Sequence, residues 1–263
     1  MKGAIDISWG MLALGYLLMF IPLYFFYKYK TGLVKPTTIA VIRMSFQLFM
    51  VGLYLEYIFK WDNPYINLMW IIIMILVSTY TVITRAGLKL RLFFLPIMTA
   101  TLLSIVFIDY YVLGFIIGLK NILTARYFIP ITGMLLGNSL KNVVIALDAF
   151  YQRVSEEEIA YRWQLANGAK RDEALLPFMS YALHKAFNPL IATAAVMGLI
   201  ALPGMMTGQI LGGSDPMVAI KYQITILIVV FSSTMLNVWL TIVLANRMAF
   251  DAWDNFNRNI FRK

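Results

Sequence analysis

Seven long apolar runs constrain this chain more than any other feature. The first, ISWGMLALGYLLMFIPLYFFY at 7–27, carries no charge. A helix of that length, rising about 1.5 Å per residue, crosses a bilayer core of about 30 Å. Further runs lie near 39–59, 65–84, 92–119, 126–147, 186–211 and 217–246. Hydrophobic residues make up 61% of the chain and charged residues 13%, where ordinary soluble domains run near about half and about a quarter. The runs lack the in–out alternation of membrane strands and are about twice their length. The expected fold is therefore all-α: a polytopic helical membrane protein with about seven transmembrane helices, forming one transmembrane domain over 1–263.

Basic residues give an orientation. Lys28, Lys30 and Lys35 follow the first run, and Arg85, Lys89 and Arg91 the third. Arg153, Arg162, Lys170, Arg171 and Lys185 follow the fifth, and Arg247, Arg258, Arg262 and Lys263 the last. The alternate connections hold only Lys2, Lys60, Lys120, Arg126 and Lys221. Fifteen against five predicts the N-terminus outside and the C-terminus in the cytoplasm. The net charge of +9 is then a topology signal whose natural partners are anionic headgroups of the lipid bilayer. Nucleic acid is not an expected partner, because the charge is spread over four loops. The first run is not expected to be a cleaved signal peptide: it is long, and its positive charge follows it.

One connection is long. Residues 148–187 fall on the cytoplasmic side between spans five and six and read as a helix–turn–helix. Ser155 and Glu158 have the spacing of a capping box, with Glu156 and Glu157 near the positive end of the helix it would start. Asn167-Gly168 suits its end, and Asp172 and Glu173 suit the first turn of a second helix. A solvated connector would carry the same helix signals.

Breakers concentrate in LPGMMTGQILGGSDPMVAIKYQI at 202–224. The expectation is a helix reaching Leu202, a break at Pro203-Gly204, a turn at Gly212-Gly213, and a new helix capped by Asp215 with Pro216 first. Gly133/Gly137, Gly204/Gly208 (continued by Gly212) and Gly114/Gly118 are spaced for close helix approach. A helix broken inside a membrane is tolerated only where it is buried in protein or lines a water-filled cavity. Both readings of these glycines stand together.

Catalytic constellations are absent from the sequence: it holds no His-Glu-x-x-His, no Gly-x-Ser-x-Gly, no Gly-Lys dipeptide and a single histidine, His184. ATP hydrolysis on this chain is thereby excluded. No metal site is assigned. The sixteen methionines, including Met134, Met205 and Met206, suit packing, since thioethers without cysteine or histidine partners favour only soft Cu(I). Polar residues within the spans are the better pathway candidates. Gln47 shares a helix face with Arg43, and Asn138 with Lys141 and Asn142. Arg43 and Lys141 are long enough to snorkel to the surface.

Two blocks, PITGMLLGNSLKNVVIALDAFYQRV at 130–154 and GLIALPGMMTGQILGGSDPMVAIKYQI at 198–224, resemble the FetB-type permeases. These are the membrane subunits of the bacterial iron-export ABC transporter family, with plant aluminium-tolerance relatives. The resemblance extends from the first span to about residue 246. Gly133, Met134, Gly137 and Asn138 match the first block. Pro203, Gly204, Met205, Met206, Gly208, Asp215, Pro216, Tyr222 and Gln223 match the second. It implies a multi-pass permease of the bacterial inner membrane that exports iron or a related metal as cargo and is built as a homodimer with a separate ATP-binding subunit. That partner would hold the ATP and Mg; this chain would bind no cofactor. LANGAKRDEA at 165–174 is similar to the Leu-x-x-Gly-Ala element of such coupling segments. That assigns ATPase coupling to Glu156, Glu157, Glu158, Arg162, Leu165, Gly168 and Ala169. A gradient-driven secondary transporter or channel is the alternative, and it would favour acidic or histidine groups at mid-membrane. An assembly scaffold joined through its glycine faces is a third.

Overall fold

The computed structural model describes residues 6–262. Ten α-helices follow one another: α1 Trp9–Leu17, α2 Phe20–Lys28, α3 Val34–Trp61, α4 Pro64–Arg85, α5 Leu90–Asp109, α6 Ala125–Glu156, α7 Glu158–Ala166, α8 Arg171–Val196, α9 Gly204–Leu211 and α10 Pro216–Ala249. A π-helical segment, Tyr110–Ile116, continues α5. Six helical segments are long and apolar enough to cross a membrane, with α1 and α2 counting as one. The sixth crossing, expected at 186–211, is divided between the end of α8 and α9.

Five helices form the packed body. α10 lies against α5 and α6, α4 against α6 and α5, and α8 against α6. Polar side chains stitch the α5–α10 seam. The Thr101 hydroxyl donates to Asn237 Oδ1 at 3.4 Å, and that of Ser104 to the Ser233 carbonyl at 3.2 Å. Such bonds hold helices together where lipid offers no hydrophobic contrast. At the end opposite the basic loops, Asp62 Oδ1 accepts from the Ala125 N–H at 2.7 Å, satisfying a donor that the start of α6 leaves free. α1 and α2 bury no residue, and α3 buries only Ile58. α3 touches the body along α6 and where Tyr54 packs on Trp70 of α4, ring centroids 4.3 Å apart.

The break in the sixth crossing falls earlier than Pro203-Gly204. α8 ends at Val196, Gly198 takes φ +85°, and α9 begins only after Pro203. A left-handed glycine ends a helix more firmly than a proline several residues on, whose effect reaches back one residue. Leu199 and Ile200 in the intervening loop are 89% and 84% exposed.

The glycine pairs differ in use. A Cβ on Gly133 would meet Met74 Cε of α4 at 3.0 Å, while Gly137, Gly204 and Gly208 have nothing within 4 Å. Close approach within this chain therefore depends on Gly133. Gly133→Leu is expected to destabilise the detergent-solubilised protein by about 1–3 kcal/mol, read from thermal unfolding. Gly137→Ala is expected to leave the transition unchanged.

Candidate functional site

At the end bearing the basic loops, α7 forms a short bar across the bottom of the body. α6 runs unbroken through Ser155 to Glu156, so the capping box expected at Ser155 and Glu158 does not form. The N-cap of α7 is Glu157, whose side chain makes no cap bond. Apolar residues at Tyr151 and Val154 keep α6 buried through this stretch, and burial outweighs a local cap worth about 1 kcal/mol. The helix–turn–helix expected over 148–187 accordingly consists of the last turns of α6, then α7, then the start of α8. Asn167-Gly168 ends α7, with Gly168 at φ +90°. Asp172 and Glu173 lie in the first turn of α8, where Glu173 Oε2 accepts from the Lys170 N–H at 2.8 Å.

The bar is fastened on its inner face. Tyr161 is fully buried, its ring packed against Phe250 at 5.5 Å and Phe178 at 6.4 Å. Its hydroxyl donates to the Asp254 carbonyl at 2.9 Å. Burial, then the neighbouring Asp254, pushes the Tyr161 phenol up to about 12, so it stays a donor at any physiological pH. Glu158 accepts from Arg258 Nε at 2.8 Å and pairs with Arg162 at 2.6 Å. Burial would raise the Glu158 carboxyl, but the bonds and charges of Arg258 and Arg162 hold it below its ordinary value of 4.5. Arg171 reaches Asp254 at 3.1 Å. Glu157 pairs with Arg153 at 3.0 Å, and Leu165 and Ala169 pack on the same core.

Much of that fastening comes from the tail after α10, which carries no sequence motif. Phe250, Phe256 and Ile260 are buried in the core beneath α6 and α8. Asn257 N–H donates to the Ala249 carbonyl at 2.9 Å, Lys89 N–H to that of Ile260 at 2.9 Å, and Arg262 N–H to that of Gly87 at 2.7 Å. The tail thus ties α7, α10 and the α4–α5 turn together. Its only regular signal is the spacing of large apolar residues among Asn and Asp, which reads as an irregular strap at best. Asp251 folds the strap's turn, accepting from the N–H groups of Asn255 at 2.8 Å and Trp253 at 2.9 Å. The Asn255 N–H holds its carboxyl below the ordinary 3.8.

The outward face of the bar is apolar. Ile159 is 87% exposed and Trp163 68%, with Trp253 of the tail at 85%. A cleft of about 770 Å³ lies alongside, lined by Glu158, Ile159, Arg162, Phe250, Asp251 and Arg258 among others.

The pathway candidates are scattered. Met134 and Tyr222, one from each block, meet in a cavity of about 220 Å³ that Lys221 also lines. Met205 and Met206 stay on α9 and do not line it. Asn138 bonds the Met134 carbonyl of its own helix at 2.9 Å rather than another span. Gln47 is exposed on α3. Pro203 precedes α9, and Asp215 caps α10 by accepting from Met217 N–H at 2.8 Å. Gln223 is buried and donates to Met197 Sδ at 4.0 Å, tying α10 to the break. Sequence reasoning passed over Asp109, a buried carboxylate on α5; as the sole acid in the run at 92–119 it carried its own signal. No group of three or more His, Cys, Asp or Glu side chains converges among the described residues.

The fold defines a multi-pass helical membrane protein with a fastened bar at its basic end. The chain belongs to the Uncharacterised protein family (UPF0014), whose model matches residues 9–250. It is 30% identical over 249 residues to UPF0014 membrane protein YjkA of Bacillus subtilis, covering 94% of this chain and 98% of that one. It is 27% identical over 241 residues to the "Probable iron export permease protein FetB" of Escherichia coli, covering 92% of each. To Protein ALUMINUM SENSITIVE 3 of Arabidopsis thaliana it is 30% identical over 206 residues, 76% of this chain and 72% of the plant protein. No solved structure matches.

Glu158 and Asp251 both sit below their ordinary values, so their contribution is complete above the ordinary carboxylate range and is lost as pH falls through the depressed values. Limited proteolysis within 251–262 is expected to be slow at pH 7 and to accelerate below about pH 4. Glu158→Gln should weaken the strap by about 1 kcal/mol at pH 7, read as faster cleavage there.

Proposed function

We propose that the chain is the membrane subunit of an ATP-driven exporter, moved by a separate ATP-binding subunit that docks on α7. Iron or a related metal ion is the proposed cargo, ATP and Mg belong to the partner, and the bacterial inner membrane is the site of action. The observation that carries this reading is the two-sided character of α7. Its outer face offers Ile159 and Trp163 to a partner, while its inner face is bound to α8, the end of α10 and the tail through Tyr161 and Glu158. A bar exposed on one side and fixed on the other transmits a push; a connector in solvent would need neither property. The name printed for the Escherichia coli relative supports permease activity and an iron cargo.

Two copies of the chain with two ATP-binding subunits complete the proposed assembly. Support comes from the unfilled faces of Gly204 and Gly208 and from the scant packing of α1–α3 on the body. The positive-inside count supports a cytoplasmic position for α7, where nucleotide is available.

Purification with a candidate ATP-binding subunit, followed by reconstitution into vesicles, tests the reading. A stable complex with ATP-stimulated metal flux is expected, and Ile159→Asp with Trp163→Asp should reduce that flux about tenfold or more by removing apolar anchors. Metal flux by the chain alone, without nucleotide or partner, would overturn the proposal in favour of a gradient-driven transporter.

A further inference from the structure

α8 and α10 both pack on α6 and leave a groove between them. It consists of two cavities, of about 500 and 570 Å³, that share Leu176 and Met179. Facing stripes line it, with Leu176, Met179 and Phe187 on α8 and Phe231, Met235 and Trp239 on α10. Leu176 is 68% exposed and Trp239 47%, so the groove opens sideways. Arg247 and Phe231 stand sixteen positions apart on α10, a rise of about 24 Å. One leaflet with its headgroups is about 20 Å deep. Charge gathers at one end only, the basic end, where Arg171, Asp172 and Arg247 line the mouth. Arg171 is taken by Asp254 at 3.1 Å. Arg247 and Asp172 are both exposed, and neither forms an ion pair with the other or with any other described residue. Opposite charges that share a mouth without meeting leave room for a group that carries both signs.

We propose that the groove holds one aminophospholipid of the leaflet on the basic side. Its phosphate rests on Arg247, its primary ammonium on Asp172, and an acyl chain runs along Leu176, Met179 and Met235. A guanidinium presents a fork of donors that matches a phosphate, and the carboxylate accepts from the ammonium. Ser180 and His184 lie one and two turns beyond Leu176 on the same wall, where they offer donors to the ester carbonyls. The basic loops as a whole favour anionic headgroups, but the balanced charge of this mouth selects otherwise. An anionic lipid without the ammonium sets its phosphate against Asp172, and a choline headgroup has no N–H to donate. A helix from a second copy would run the whole membrane and has no use for charges at one end. The lipid would part α8 and α10, whose Phe178 and Phe250 ends seat Tyr161, and so sets the spacing on which the bar acts. Binding needs neither the ATP-binding subunit nor the cargo, so it stands or falls apart from the exporter reading.

The full chain, stripped of lipid in detergent, is titrated with phosphatidylethanolamine, phosphatidylglycerol and phosphatidylcholine of matched chains, and bound lipid is read by native mass spectrometry. Phosphatidylethanolamine is expected to bind once per chain, about fivefold more tightly than either of the others. Arg247→Gln should weaken it by about fivefold, and Asp172→Asn should abolish its advantage over phosphatidylglycerol. Met179→Trp, which fills the groove where the two cavities join, should exclude the lipid and leave both charges in place. Arg91→Gln, at an exposed arginine of the same end on α5 and outside the groove, should bind like wild type. Equal affinity for the three lipids, or unchanged phosphatidylethanolamine binding in Arg247→Gln and Asp172→Asn, overturns the proposal. Loss of the bound lipid when two chains associate assigns the groove to a second copy and overturns it as well.

Discussion

A helix can pass on a push only if it is fixed to what it moves, and here that fixing is the seat of Tyr161. Its ring fills the space between Phe178 of α8 and Phe250 at the end of α10, and its hydroxyl reaches the backbone of the tail. Buried aromatic pairs add about 0.5–1.5 kcal/mol each beyond the area they cover. Several converge here, since Tyr151 packs on Phe93 and Phe256 in the same core. The ion pairs around Glu158 orient the bar, but their arginines are largely exposed, and solvent leaves such pairs worth little. Aromatic burial supplies the stiffness, and charge supplies the register.

Lipid imposes a second constraint. Backbone groups in hydrocarbon must be satisfied within the protein, yet the chain is irregular from Met197 to Pro203. Part of the demand is met locally, where the Gly198 N–H donates to the Ala201 carbonyl at 2.9 Å. Gln223 of α10 reaches Met197 from outside the loop. The apolar side chains of Leu199 and Ile200 nevertheless point away from any packing partner. A loop of this kind suits a surface that lipid or a second copy covers. The same holds for α1–α3, whose apolar faces have little of the body to rest on.

The spans were legible because each is a run of residues that water would not tolerate, and that signal is strong and local. Helix ends written in short-range chemistry were legible too. Asn167-Gly168 reads as a stop and Asp215-Pro216 as a start, and each occurs as written. Other features depend on contacts distant in sequence. Ser155 and Glu158 carry the spacing of a cap, but the burial of Tyr151 and Val154 carries α6 through it. Glu158 is then taken by Arg258, a hundred residues away. The break moved because Gly198 lay outside the motif that drew attention to Pro203. Asn138 was legible as a polar residue in a span, but not as one whose bond closes within its own helix. The strap over 250–262 had no period to read, since its apolar residues meet three different elements.

The central claim is that the fastened bar lies on the nucleotide side of the membrane, and the absence of cysteine from the chain makes this directly measurable. A single cysteine at Asn167, beside the exposed end of α7, can be probed in intact cells with a membrane-impermeant maleimide and compared with one at Leu211. The account predicts that the cysteine at 211 is labelled from outside, and that the one at 167 reacts only after the membrane is opened. Labelling of position 167 in intact cells would put the bar beyond the reach of any ATP-binding subunit and contradict the account.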